Sequence, residues 1–173
     1  VDVDLLESVD EAIEVLAPVA TVRNVGLRPV FADDVKVVAD QSALGRVLRN
    51  VIENGIRHAP SESEVTIGVD VADGFVTVRV TDLGPGFSDD FVDVAFDRFT
   101  RADPARGRGP GGSGLGLAIA SGFINAMQGE IWAEPGPGGC VGFRLPTASV
   151  SRRASSGLAR SDSQLAGSRD VHH

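Results

Sequence analysis

The stretch that most constrains the fold is a pair of runs, Glu64–Val71 and Phe75–Thr81, joined by Ala72-Asp73-Gly74. Apolar and polar side chains alternate along both, as on strands with one buried face, and Asp-Gly between them suits a tight reversal. A hairpin here puts an antiparallel ladder in the middle of the chain. That argues against the strand–helix–strand alternation of a doubly wound parallel sheet.

The flanking sequence extends this pattern. Leu5, Leu6, Val9, Ile13, Leu16 and Ala17 recur at intervals of three and four, which predicts an amphipathic helix over 4–17. Asp4 suits its N-cap, with Glu7 three residues on, and Pro18 is expected to end it. Leu27–Ala32 and Val35–Ala39 read as short strands, and Asp33-Asp34 between them suits a hairpin turn. From Gln41 to about residue 58, Leu44, Val47, Leu48, Val51, Ile52 and Ile56 form one apolar stripe. Asp40 or Ser42 caps that helix, and Ala59-Pro60-Ser61 ends it. A further helix is expected over Leu115–Met127, closed by Gly129. Glu130–Glu134 and Cys140–Leu145 then form a hairpin across Pro135-Gly136-Pro137-Gly138-Gly139. This order predicts an α+β, two-layer sandwich with helices on one face of a mixed, largely antiparallel sheet.

Composition narrows the functional classes. A chain of 173 residues, 42% apolar, suits one domain with a sizeable core. No apolar run approaches the roughly 18–20 residues that span a bilayer. The chain opens Val1-Asp2 without Met, so a piece of a longer protein is expected. One Cys excludes an intrachain disulfide, and with three His it leaves no structural zinc set. The net charge is −8, and the four Arg and two Asp of 147–173 leave −10 on residues 1–146. So acidic a domain is a poor nonspecific binder of nucleic acid, and any phosphate site must be built locally. After Pro146 the sequence turns rich in Ser, Arg, Gly and Ala, which predicts a disordered tail over 147–173 behind a domain at 1–146.

Four stretches carry chemistry. Gly109-Pro110-Gly111-Gly112-Ser113-Gly114-Leu115-Gly116 holds five glycines in eight residues and runs into the Leu115–Ile119 helix start. Such a loop frees N–H groups and positive helix-end potential for an anion. Asn50 and Asn54 share a face of the 41–58 helix, with Arg57 three residues on. Mid-helix Asn is a poor helix former, so a pair of them suggests a task beyond structure, although solvent-facing Asn is an equal reading. Asp82 ends a strand before Gly84-Pro85-Gly86, which puts a carboxylate at a sheet edge; a plain turn is the simpler reading. Residues 88–113 have little structure of their own but include Phe91, Val94, Ala95, Phe96 and Phe99, with Arg98, Arg101, Arg106 and Arg108. Segments of that length are usually functional or mobile.

Taken in order, Asn50-x3-Asn54, Asp82-x-Gly84-x-Gly86, Phe96-Asp97-Arg98-Phe99 and Gly112-x-Gly114-x-Gly116 resemble the N, G1, F and G2 boxes of sensor histidine kinases. The resemblance covers 1–146 and is to the catalytic, ATP-binding domain of those kinases. They lie within the superfamily of gyrase, Hsp90, histidine kinases and MutL. It implies the Bergerat ATP-binding fold with Mg²⁺ and ATP as cofactors. It also implies transfer of the γ-phosphoryl group to a His on a dimerisation hairpin of the same or a partner subunit, then to an Asp of a response regulator. It further implies the cytoplasmic domain of a membrane-anchored sensor. In the family pattern Asn54 coordinates Mg²⁺ with Asn50 nearby, and amide oxygens suit that hard cation. Arg57 reaches phosphate, and His58 lies against adenine. Asp82 accepts from the adenine 6-amino group, and Gly84 and Gly86 let the chain pass close to the base. Gly112, Ser113, Gly114, Leu115 and Gly116 hold phosphates. Residues 87–113 form the ATP lid, to which Phe99 and Arg101 belong, with Phe96 and Phe99 anchoring its base.

Two absences sharpen the reading. In gyrase-type ATPases a Glu that activates water stands near the position of Asn50, and Asn cannot serve as a base. Glu53 is adjacent but points about 100° away on the helix. Transfer to an acceptor is therefore favoured over hydrolysis. No hairpin with a phosphoacceptor His is present, since the His residues are 58, 172 and 173. Gly55 and Arg57 stand where the family commonly has Ala and Lys, and Arg57 makes the phosphate contact less secure because the two cations differ in shape. The alternatives are an anti-sigma-factor-type serine kinase of the same superfamily and a nucleotide-sensing module without transfer.

Overall fold

The computed structural model describes residues 1–31, 33–97 and 115–152. In chain order the elements are β1 (Asp2–Asp4), α1 (Leu5–Val22), β2 (Val25–Val30), β3 (Asp33–Val38), α2 (Gln41–His58), β4 (Ser63–Ala72) and β5 (Phe75–Thr81). They continue with α3 (Asp89–Val92), α4 (Gly116–Ala126), β6 (Glu130–Ala133) and β7 (Cys140–Arg152). Helices α1, α2 and α4 pack on a seven-stranded mixed sheet of order β1-β3-β7-β5-β4-β2, with β6 paired to β7. The α+β sandwich expected from the sequence is the fold observed.

Local chemistry sets the helix starts. Asp4 accepts from the N–H groups of Leu6 and Glu7 at 3.0 and 3.1 Å, and Asp40 accepts from Ala43 at 2.8 Å. Each satisfies first-turn donors that have no partner within the helix. The α2 stripe is the spine of the core. Leu44, Leu48, Ile52 and Ile56 are fully buried against Val65, Ile67, Val76, Val78, Phe143 and Leu145. A Cβ at Gly55 would lie 3.1 Å from Val65 Cγ1 and 3.3 Å from Val80 Cγ1. The missing side chain at 55 thus lets the last turns of α2 lie close on β4 and β5, the part of the helix that carries Asn54, Arg57 and His58.

The β4–β5 and β6–β7 hairpins form as expected, with Val69 opposite Val78 and Ile131 opposite Phe143. The hairpin expected from Leu27–Ala32 and Val35–Ala39 does not form. β2 pairs in parallel with β4, Val25 opposite Ser63 through Val30 opposite Gly68. β3 pairs antiparallel with β1 on one side and β7 on the other. Asp33 and Asp34 open β3 instead of making a turn. A parallel pair needs a crossover connection, and here β3 and α2 supply it. Pro29 is tolerated because β2 is an edge strand with one ladder to satisfy.

Two expected ends also move. Pro18 lies inside α1, which runs on to Val22. Pro18 and Glu14 are both on the exposed side, so the Glu14 carbonyl that the ring leaves without a donor faces water. The domain does not stop at residue 146. β7 continues through Arg152, and its second half pairs with β3, Thr147 opposite Val37 and Val150 opposite Val35. Val35 and Val37 are buried, so residues 147–152 form the outer partner of a core strand. The rest of the expected tail, 153–173, lies outside the described residues. Among the described residues no helix is long and apolar enough to cross a membrane.

Candidate functional site

Asp82 is the centre of the site. It follows the last residue of β5, is 4% exposed, and is one of two buried polar residues among those described, the other being Ser8. Its backbone N–H donates to Gly139 O at 2.9 Å. Its Oδ1 accepts from Gly84 N at 2.7 Å and from Gly139 N at 3.4 Å. Its Oδ2 has no hydrogen-bond partner among the described residues. A carboxylate is costly to bury, and one held with an open acceptor suits recognition of a donor.

The two glycines after Asp82 are required by close packing. A Cβ at Gly84 would collide with His58 O and lie 2.7 Å from Asp82 Oδ1. Gly86 takes φ +78°, and a Cβ there would collide with Gly136 O and lie 2.9 Å from Gly138 O. The loop therefore threads between the end of α2 and the Pro135–Gly139 turn. Gly138 N donates to Gly84 O at 3.2 Å and Gly136 N to Phe87 O at 3.1 Å. Phe87 stacks on Phe91, ring centres 5.5 Å apart, and Ala95 and Phe96 pack against the core. The first part of the expected lid, through residue 97, is thus seated on the body of the domain.

Helix α2 forms the second wall. Asn50, Asn54 and Arg57 are half-buried, and His58 closes the helix at the surface. Asn50 faces the start of α4, since a Cβ at Gly116 would lie 3.9 Å from its Cγ. Asn54 has no hydrogen-bond partner among the described residues. Arg57 pairs with Glu53 at 3.7 Å, and its carbonyl accepts from Arg23 Nη1 at 3.5 Å. Glu53, weighed in the sequence as a weaker base, is thus engaged by Arg57. Helix α4 begins at Gly116 after Leu115 with no side-chain cap, so among the described residues no side chain takes up its first-turn N–H groups, which suit an anion. Asp82, Gly84, Gly86, Asn50, Asn54, Arg57, His58, Leu115 and Gly116 all lie in this region. Phe99, Arg101, Gly112, Ser113 and Gly114 lie outside the described residues.

His58 titrates below its ordinary value of 6.5. Loss of hydration is the main cause even though the residue reaches the surface, and Arg57 and Arg23 add to it against an opposing pull from Asp82. The neutral imidazole is the form that suits packing on an aromatic base. Because the folded protein holds the proton less tightly than the unfolded chain, His58 contributes stability above about pH 6.5 that is lost as pH falls toward its folded value. Urea midpoints between pH 7.5 and 5 are expected to fall less steeply for His58→Gln than for the unmutated chain. Equal slopes would show that His58 carries no such linkage.

Sequence reasoning missed Arg23 and the site-facing part of the Pro135–Gly139 turn. The only signal for the latter was three glycines in five residues, which also describes an ordinary hairpin loop. Among the described residues no group of three or more His, Cys, Asp or Glu could hold a metal ion. The unpartnered Asn54 amide fits a magnesium ion that takes most of its ligands from phosphates and water.

Residues 39–149 match the family described as Histidine kinase-, DNA gyrase B-, and HSP90-like ATPase. The chain is 44% identical over 116 residues to the sensor histidine kinase component HK1 of Mycobacterium tuberculosis, covering 66% of this chain and 67% of that protein. It is 40% identical over 117 residues to the sensor histidine kinase WalK of Bacillus subtilis, covering 65% of this chain but 19% of WalK. Among solved structures, the mycobacterial sensor histidine kinase MprB superposes with a TM-score of 0.74 at 27% identity, covering 85% of this chain and 97% of MprB. Full-length ShkA in complex with AMPPNP superposes at 0.70 and 26% identity, covering 88% of this chain and 32% of ShkA. With the fold, the Asp82 loop and α2 arranged as described, the chain belongs to the histidine kinase-, DNA gyrase B- and HSP90-like ATPase family.

Proposed function

We propose that this domain binds Mg-ATP between α2, the Asp82–Phe87 loop and the start of α4, and donates the γ-phosphoryl group to a His on a separate helical hairpin. The bond from the γ-phosphorus to the bridging oxygen of ADP breaks, a bond to an imidazole nitrogen forms, and ADP leaves. The phosphoryl group then passes to an Asp of a response regulator. The buried Asp82, with Oδ1 saturated by two amides and Oδ2 open, is the observation that carries the reading. A 6-amino group matches that acceptor, whereas the 6-carbonyl of guanine opposes it. His58 flanks the base, Asn50 and the bare N-terminus of α4 meet the phosphates, and Arg57 adds charge from α2. Asn54 would hold Mg²⁺, which neutralises phosphate charge when bound. The phosphoryl transition state asks chiefly for such positioning and charge. An Asn at position 50 leaves no base there for water. The kinship with sensor kinases and the AMPPNP complex of ShkA support this assignment. A place on the cytoplasmic side of a membrane sensor goes with this reading.

The test mixes the chain with γ-labelled ATP and a purified hairpin bearing a phosphoacceptor His. Acid-labile, base-stable label on the hairpin is the expected result. Acid-stable label on a Ser-bearing antagonist protein instead identifies a serine kinase. Nucleotide binding with no transfer to either identifies a sensing module.

A further inference from the structure

Arg23 stands outside every motif read from the sequence, at the C-cap of α1 in the turn that leads to β2. That turn is fastened to the segment that follows α2. Asn24, at φ 57°, donates from its side-chain amide to Ser61 Oγ at 3.3 Å, and its carbonyl accepts from Glu62 N at 2.8 Å. Val25 then enters the parallel ladder opposite Ser63. From this seat the exposed Arg23 side chain reaches a residue 34 positions away, where its Nη1 donates to Arg57 O at 3.5 Å. That carbonyl is among the last four of α2, which lack a donor within the helix, and a cation suits the negative helix end. The next residue is His58, whose carbonyl lies where a side chain at Gly84 would stand. The end of α2 is thus held by the α1–β2 turn on one side and by the Asp82 loop on the other.

We infer that Arg23 is a positioning residue for the nucleotide: it holds the last turn of α2 by the Arg57 carbonyl and sets a fixed positive charge beside the His58 ring that flanks the base. The inference rests on the adenine-binding reading of the site. Three charged groups act on the His58 ring among the described residues: Asp82 at the end of β5, Arg57 on α2 itself and Arg23 from the turn. Burial comes first in keeping His58 below its ordinary value; Asp82 opposes it, and the two arginines add to it. An imidazolium pressed against a purine gives up hydration that the neutral ring does not need, so a cation that opposes the proton favours the binding form. A guanidinium keeps its charge throughout this range.

The test uses Arg23→Gln, which keeps an N–H donor for the Arg57 carbonyl but loses the charge, and Arg23→Lys, which keeps the charge. Affinity for Mg-ATP is measured by calorimetry at about pH 8 and about pH 6, on either side of the ordinary histidine range. Relative to the unmutated chain, Arg23→Gln is expected to lose about twofold more affinity at the lower pH than at the higher, because the competent fraction shrinks as His58 takes up a proton. Arg23→Lys is expected to follow the pH profile of the unmutated chain. In a His58→Gln background the pH-dependent part of the Arg23→Gln loss is expected to vanish. Equal loss at both pH values, or a pH-dependent loss that persists without His58, overturns the proposal, because support of the fold alone does not depend on the ring proton. The His58 ring resonances of the nucleotide-free chain separate this from the base-site reading. Their titration midpoint is expected to move upward in Arg23→Gln and to stay in place in Arg23→Lys, and an unmoved midpoint in Arg23→Gln overturns the proposal. A midpoint that moves while His58→Gln leaves ATP affinity unchanged at both pH values removes His58 from the base site, and the nucleotide role of Arg23 falls with it.

Discussion

Asp82→Asn is expected to weaken ATP binding by about 1–3 kcal/mol, roughly five- to a hundredfold. The substitution keeps size and shape but replaces one acceptor by a donor. If the amide oxygen stays beneath the N–H groups of Gly84 and Gly139, its NH₂ group takes the place of Oδ2 and opposes the adenine amino group. If the amide turns over, its NH₂ opposes those two backbone donors. Either orientation leaves a buried donor without an acceptor. Calorimetric titration with ATP measures the loss, and an unchanged affinity would take Asp82 out of the nucleotide site.

The largest stability effect is expected at Phe143, one of the largest fully buried side chains. It sits mid-way along the first half of β7, opposite Val78 of β5 on one side and Ile131 of β6 on the other. Phe143→Ala removes a ring that the three strands cannot close around, and such a cavity costs about 3–5 kcal/mol. Domains of this kind are stable by about 5–15 kcal/mol, so the variant loses a large share of its margin. Urea denaturation followed by circular dichroism is the measurement. A loss under about 1 kcal/mol would mean that the three-strand centre repacks around the gap.

Much of the candidate site was legible because its signals are local. Asn50, Asn54 and Arg57 share a helix face by spacing alone, and Asp82 precedes Gly-Pro-Gly at the end of an alternating strand. Helix starts were legible for the same reason, since a cap is a contact between residues two or three apart, as Asp4 and Asp40 show. The demand for glycine at 84 was not legible. It comes from the His58 carbonyl, which lies far away in sequence and reaches that position only after folding.

The pairing of strands was the least legible part. Val25–Val30 and Asp33–Val38 have strand character and stand close in sequence, so a hairpin is the economical reading, but strand propensity does not name a partner. β2 joined β4 because the α2 crossover returns the chain beside it, and β3 lay between β1 and the second half of β7. Those ladders also drew residues 147–152 into the sheet, although their composition alone suggests a chain too polar to order itself.

The sequence by itself determined the elements, the class of fold and the line of chemical groups from Asn50 to Asp82, because periodicity, capping and motif spacing act over a few residues. Tertiary structure alone decided which strands pair, that the sheet runs through Arg152, and that one oxygen of Asp82 is held by two amides while the other has no partner among the described residues. Those outcomes depend on contacts between distant segments, and such contacts exist only once the core formed by α2, β4, β5 and β7 has closed.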